Sequence, residues 1–201
     1  MVMPTTNLAD WKIEQFSNIP KNEVTTSAKG LLIKINRSAG PLIHPLKAKT
    51  KITGFKVSGE FLGLPDFTNP LLQGEKGFDD YPLRIGFVVP GEKRLSGLKK
   101  MFAAQWVKRL YEQVQDGAGL DSVRFYNVTQ NSEQVGQTRI HPNSDLLQEE
   151  FFAEVKRAGP FSYEFQFSQP IEAVAVWISI DGDDTKSVFD VVISSLELQS
   201  Q

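Results

Sequence analysis

The feature that most constrains this chain is a succession of short runs rich in Val, Ile and Phe, each closed by Gly, Pro, Asn or Asp. They cover residues 11–16, 23–27, 31–36, 42–46, 51–61, 83–89, 123–129, 161–167, 173–180 and 188–198. A half-buried strand cannot cover its own apolar face, and no repeated helical crossovers separate these runs. They therefore predict a mainly β chain, a two-sheet antiparallel β-sandwich of jelly-roll type filling residues 1–201 as one domain. Over 51–61, Ile52, Phe55, Val57 and Phe61 alternate with polar residues after a slip at Gly54, the pattern of a sandwich face. The runs at 83–89 and 173–180 are apolar on both sides and belong near the middle of a sheet.

One stretch has a different period. Leu95, Leu98, Phe102, Trp106, Leu110 and Val114 recur every three or four residues, predicting an amphipathic α-helix over about 95–115. Lys99, Lys100, Lys108 and Arg109 lie on its other face, and Gly117-Ala118-Gly119 ends it. Such a helix packs across the sandwich or meets a partner or membrane surface. The segment 145–156 fits helical spacing and an edge strand alike. Residues 63–81 form a connection much longer than usual, which marks it as functional or mobile.

Composition narrows the function more than it names it. With 22 Lys+Arg against 24 Asp+Glu, the chain lacks the dense basic field that phosphate backbones require, so nucleic acid is not an expected partner. Zero cysteine excludes thiol catalysis, disulfides, thiolate zinc sites and iron–sulfur clusters. No run is long and apolar enough for a transmembrane segment, and Met1 is not followed by a signal-peptide pattern. Phe supplies 14 of the aromatic side chains; it cannot hydrogen-bond, so Phe55, Phe61, Phe87, Phe102, Phe165 and Phe167 are assigned to the core. Trp11, Trp106 and Trp177 are read as core too, while Tyr81, Tyr111 and Tyr126 are the aromatics suited to a wet face.

Motif searching removes most enzyme classes. His44 and His141 are far apart and each precedes Pro, so neither belongs to a helical zinc motif. Nucleophile elbows, phosphate loops and dinucleotide fingerprints are absent from the sequence. Two acidic clusters remain: Asp79-Asp80, just before Tyr81 and Arg84, and Asp181, Asp183 and Asp184 in the turn DGDDTKS. Their carboxylates suit a structural calcium ion, the hydroxyls of a sugar, or backbone N–H groups that they cap within the turn. Counted from Asp181, the sixth and twelfth positions are Lys186 and Val192, which excludes a helix-loop-helix calcium loop. A carbohydrate-active enzyme with paired aspartates would need Asp79 or Asp80 within about 10 Å of Asp181 or Asp183 in one cleft.

The segments LLIKINRSAGPLIHPLKAKTKITGFKVSGEF, GFDDYPLRIGFVVPG, AAQWVKRL and WISIDGDDTKSVFDVVISSLEL, in this order over 31–198, resemble a bacterial family of unknown function with a secreted jelly-roll domain. A mid-chain Trp pair of that family is replaced by Phe55 and Val57, and its D-x-D-N turn reads Asp181-Gly182-Asp183-Asp184. The resemblance implies a domain akin to carbohydrate-binding modules in a periplasmic or extracellular setting. The resulting expectation is a non-catalytic module of the bacterial envelope that binds a glycan or other polyhydroxylated ligand. Asp79, Asp80, Tyr81 and Arg84 are its candidate ligand-binding residues, and Asp181, Asp183 and Asp184 its candidate calcium ligands. The alternatives are a glycosidase-like enzyme and a structural or partner-binding domain.

Overall fold

A computed structural model describes residues 1–92, 108, 119–142 and 144–200. The sequence-predicted helix over about 95–115, with Phe102, Trp106 and Tyr111, lies outside the described residues apart from Lys108. Ten strands follow in chain order: β1 (Lys12–Ile13), β2 (Glu23–Ser27), β3 (Gly30–Asn36), β4 (Leu42–Phe61), β5 (Leu83–Gly91), β6 (Gly119–Thr129), β7 (Thr138–Ile140), β8 (Leu147–Glu154), β9 (Gly159–Ser179) and β10 (Val188–Ser200). The expected mainly β class holds, but the expected pair of separate antiparallel sheets does not. The strands form one continuous sheet in the order β2-β3-β10-β4-β9-β5-β6-β8-β7, with β1 added to β4.

Two long strands explain the difference. Runs 42–46 and 51–61 are one strand, β4, and runs 161–167 and 173–180 fall largely in one strand, β9. The two pair antiparallel along most of their length, with register breaks between Pro45 and Thr50 and between Ile52 and Gly54. Pro45 has no N–H to donate, and the second break falls at the slip expected beside Gly54. There both strands turn a corner together, which carries the sheet over onto itself. One half is built on 54–61 and 159–166 with β10, β3 and β2; the other on 42–45 and 173–179 with β5, β6, β8 and β7. The sheet is mixed because β8 runs parallel to β6, whereas the other strand pairs are antiparallel. The ambiguous segment 145–156 is thus mostly strand: Phe152 faces the core against Phe55, while Glu149 and Phe151 face the other side, beside Arg139.

The halves face each other through phenylalanine. Phe55 of β4 lies 6.1 Å from the Phe87 ring of β5, 5.7 Å from Tyr126 of β6 and 5.4 Å from Phe152 of β8, strands that are not its lateral neighbours. Phe61 stacks on Phe161 at 4.2 Å. Burial of each such ring stabilises the fold by roughly 1.5–3 kcal/mol. Trp11 and Trp177 are buried as expected, and so are Tyr81 and Tyr126, which were expected to face water. A second apolar cluster, including Ile43, Val88, Val123, Phe125 and Trp177, covers the outer face of the β5–β6–β9 half, with Phe16 and Leu147 packed on it.

Candidate functional site

Strand β5 sets up the site by alternation. Leu83, Ile85 and Phe87 point to the core between the halves, so Arg84 and Gly86 point to the outer face. Arg84 sits between Ser179 of β9 and Asn127 of β6, and only 7% of it is exposed. A guanidinium in such a position requires carboxylates around it. Three converge from distant parts of the chain. Its Nη2 is 3.3 Å from Asp79 Oδ2, its Nε 3.3 Å from Asp181 Oδ2, and its Nη1 3.8 Å from Glu149 Oε1. The Asp79 carbonyl accepts a further bond from Nη2 at 2.6 Å, and the Tyr81 ring lies beneath the guanidinium at 4.3 Å.

A second arginine extends the network. Arg139 of β7 donates to Glu149 Oε2 (2.6 Å), to Asp79 Oδ1 (2.9 Å) and to the Gly74 carbonyl (2.8 Å). Gly74 has φ +90°, and a Cβ there would lie 2.7 Å from both Arg139 Nη1 and the Tyr81 hydroxyl oxygen, so glycine is what lets the loop approach. His141 Nε2 is 2.8 Å from Asp79 Oδ2, and Asn127 donates to Glu149 at 2.8 Å. The long 63–81 connection is pinned where it supplies Asp79. Gln73 is buried, accepting from Thr129, Gln130 and Asn131 and donating to the Asp80 carbonyl.

The sequence-predicted residues divide into two groups. Asp79, Arg84 and Asp181 meet in the ion network, and Asp183 lies on the adjoining turn. Asp80 and Asp184 fasten loops: Asp80 accepts from the Thr185 amide and hydroxyl and from the Asp184 amide, while Asp184 accepts from the Asp79 amide. This is the backbone-capping role open to aspartates in turns. Tyr81 has no exposed surface and supports Arg84 from below. Asp181, Asp183 and Asp184 do not converge as calcium ligands: Asp181 is taken by Ser179 and Arg84, Asp184 by the Asp79 amide. Among the described residues no three His, Asp or Glu side chains form a group able to hold a metal ion.

Sequence reasoning did not single out Glu149 or Arg139, and gave His141 no partner. A signal for Glu149 exists: Gln148-Glu149-Glu150 interrupts an apolar run, and in a strand one of two adjacent glutamates must face each side.

The electrostatics are uneven. Burial works to raise the Asp79 pKa, but Arg84, His141 and Arg139 outweigh it and hold the carboxyl well below the usual carboxylate range. Asp181 goes the other way, pushed up to about 7 by burial despite Arg84 and Ser179, with Asp80 and Asp183 adding repulsion. Asp183 is pushed up to about 6 by burial and by its neighbours Asp80 and Asp184. Arg84 is raised despite its burial by Asp79, Asp181 and Glu149.

The network borders a cleft of about 380 Å³ on the outer face, within the usual range of small-molecule sites. Phe16, Ile19, Phe125, Leu147 and Trp177 give it an apolar floor and wall. Asp79, Arg84, His141, Asp181, Asp183 and Asp184 form its polar side. Gly86 lies beneath the aromatic pair of the floor: a Cβ there would be 2.6 Å from Phe125 Cε1. Chemically the cleft offers carboxylate acceptors beside a fixed guanidinium, over a surface that can cover an apolar ring face.

No protein-family model matches the sequence, and no curated protein matches it. Among solved structures, the exoplasmic/lumenal domain of VIP36 in a Ca2+/Man3GlcNAc-bound form aligns over 100% of this chain and 91% of its own. Sequence identity is 7% and the TM-score 0.38, a level at which no residue's role transfers. Among the described residues, no helix is long and apolar enough to cross a membrane.

Proposed function

We propose that this protein is a non-catalytic, carbohydrate-binding-like module, a jelly-roll-type sandwich acting as one domain, that takes a neutral polyhydroxylated ligand in the outer-face cleft. The observation that carries this reading is the composition of that cleft, an apolar floor of Trp177, Phe125 and Leu147 bordered by acceptor-rich polar groups. A sugar has the matching chemistry, one C–H face and a ring of hydroxyl donors. Asp183 is the acceptor best suited to it, because among the described residues its carboxylate is hydrogen-bonded only by its own amide. The bacterial envelope setting implied by the family resemblance belongs to the same proposal.

The glycosidase-like alternative draws support from one observation: Asp79 and Asp181 share Arg84 yet are pushed in opposite directions, as in acid–base pairs. Both carboxylates are nevertheless committed. Asp79 accepts from His141, Arg139 and Arg84, and Asp181, only 6% exposed, holds Ser179 and Arg84. A catalytic acid or base needs access to substrate, which favours the binding module.

A glycan panel scored by thermal shift, then by calorimetry, tests the proposal, since a ligand bound only by the folded state raises the melting temperature. At least one neutral glycan is expected to bind the wild type, with affinity falling about tenfold in Asp183→Asn and the free variant melting no lower than the wild type. Failure of every neutral glycan to shift the wild type removes the reading, and release of reducing sugar from any of them replaces it with the enzymatic one.

A further inference from the structure

A second cavity, of about 550 Å³, is lined by residues of β6, β7 and β8 and by the corner of β9. The parallel register sets Arg124 of β6 beside Gln148 of β8, and Tyr126 beside Glu150, so these four side chains share the face that turns toward the core. Tyr126 stacks on Phe167 at 4.5 Å, and that pair forms one wall; Ser168 and Gln169, from the corner of β9, form the rim.

The charges here are arranged unlike those around Arg84. Arg124 is half-buried, its Nε is shielded from solvent with no hydrogen-bond partner, and it stands in no ion pair among the described residues. Glu150, two residues along the neighbouring strand, is also half-buried and unpaired among them, and burial raises its pKa. A guanidinium with an unsatisfied buried N–H is under-used as a donor, and its planar fork matches a carboxylate better than any neutral acceptor. The adjacent Glu150 disfavours a dianion such as phosphate and, with Gln148, Gln169 and Ser168, provides partners for hydroxyl groups. The half-buried Phe167 ring gives an apolar surface beside them.

We propose that this cavity is a second ligand site, specific for a hydroxylated monocarboxylate of the sugar-acid class, with Arg124 binding the carboxylate and Glu150 accepting from a hydroxyl. The site goes beyond the reading of the outer cleft and stands or falls separately, because Arg124, Tyr126, Gln148 and Glu150 line this cavity and not the outer cleft.

The test is an amide-resolved NMR titration of the full chain with D-galacturonate, D-galactose and inorganic phosphate at one pH and ionic strength. Galacturonate is expected to shift the amides of residues 124, 126, 148 and 150; galactose and phosphate are expected to leave them in place. Arg124→Gln should weaken galacturonate at least about tenfold, and Arg124→Lys, which keeps the charge and protects the fold, should also weaken it because the planar fork is lost. The proposal is overturned if galacturonate leaves those amides unmoved, if galactose or phosphate shifts them equally, or if Arg124→Lys binds galacturonate as tightly as wild type.

Discussion

The two faces of the β5–β6–β8 region solve the problem of burial in opposite ways. On the inner face Phe55, Phe87, Phe152, Phe165 and Phe167 meet in tilted and edge-on pairs between 5.3 and 6.2 Å, so each ring has several neighbours and none is unique. On the outer face two guanidiniums and three carboxylates share one arrangement, in which Asp79 alone meets both guanidiniums and the His141 ring. Apolar contact is non-directional and degrades gradually, whereas a buried charge that loses its partner keeps its full desolvation penalty. The inner face should therefore tolerate change and the outer face should not.

The sharpest way to break that contrast is Arg84→Met. It leaves Asp79, Asp181 and Glu149 short of a cation in a buried setting, and should cost about 3–5 kcal/mol in urea unfolding. Phe55→Leu, at the centre of the inner cluster, should cost only about 1–2 kcal/mol, because neighbouring rings close part of the space. Equal losses in the two variants would erase the distinction drawn here.

The smallest expected effect is a slope in pH. Asp181 holds its proton up to about 7 when folded, against an ordinary value of 3.8, so the folded state gains stability as pH falls through that window. Asp79 has the opposite sign: its contribution is present above its ordinary value of 3.8 and fades as pH falls below it. Stability should thus rise from pH 8 toward about 5 and fall again below about 4. Asp181→Asn should flatten the neutral limb of a melting-temperature profile and leave the acid limb, and an unaltered neutral limb would assign it to another group.

Much of the strand content was legible because alternation is local. β2 matches its predicted span 23–27, and the register break at Gly54 was visible as a slip in the apolar pattern. The corner shared by β4 and β9 was not visible, since a bent strand and two separate strands have the same alternation on either side of a polar interval. The site was half legible for the same reason. Asp79 and Arg84 are neighbours in the chain, and the turn holding Asp181 and Asp183 is conspicuous as a string of aspartates. Arg139 is a lone charge in a three-residue strand and Glu149 the middle of three polar residues in the ambiguous segment, and only strand pairing brings them into the network around Arg84. Asp80 shows the converse. Its position in an acidic pair suggested a ligand, but its oxygens are occupied by the Thr185 and Asp184 amides more than a hundred residues away.

β10 is the latest of the ten strands to be made, yet it lies between β3 and β4. A chain still emerging from the ribosome therefore carries β2–β3 as a ribbon with no strand to join it to the rest, and the opposing edge of β4 is bare. Both edges stay open to other chains until residues 188–200 have been made and released, so crowding during synthesis, more than heat afterwards, is the hazard this wiring creates.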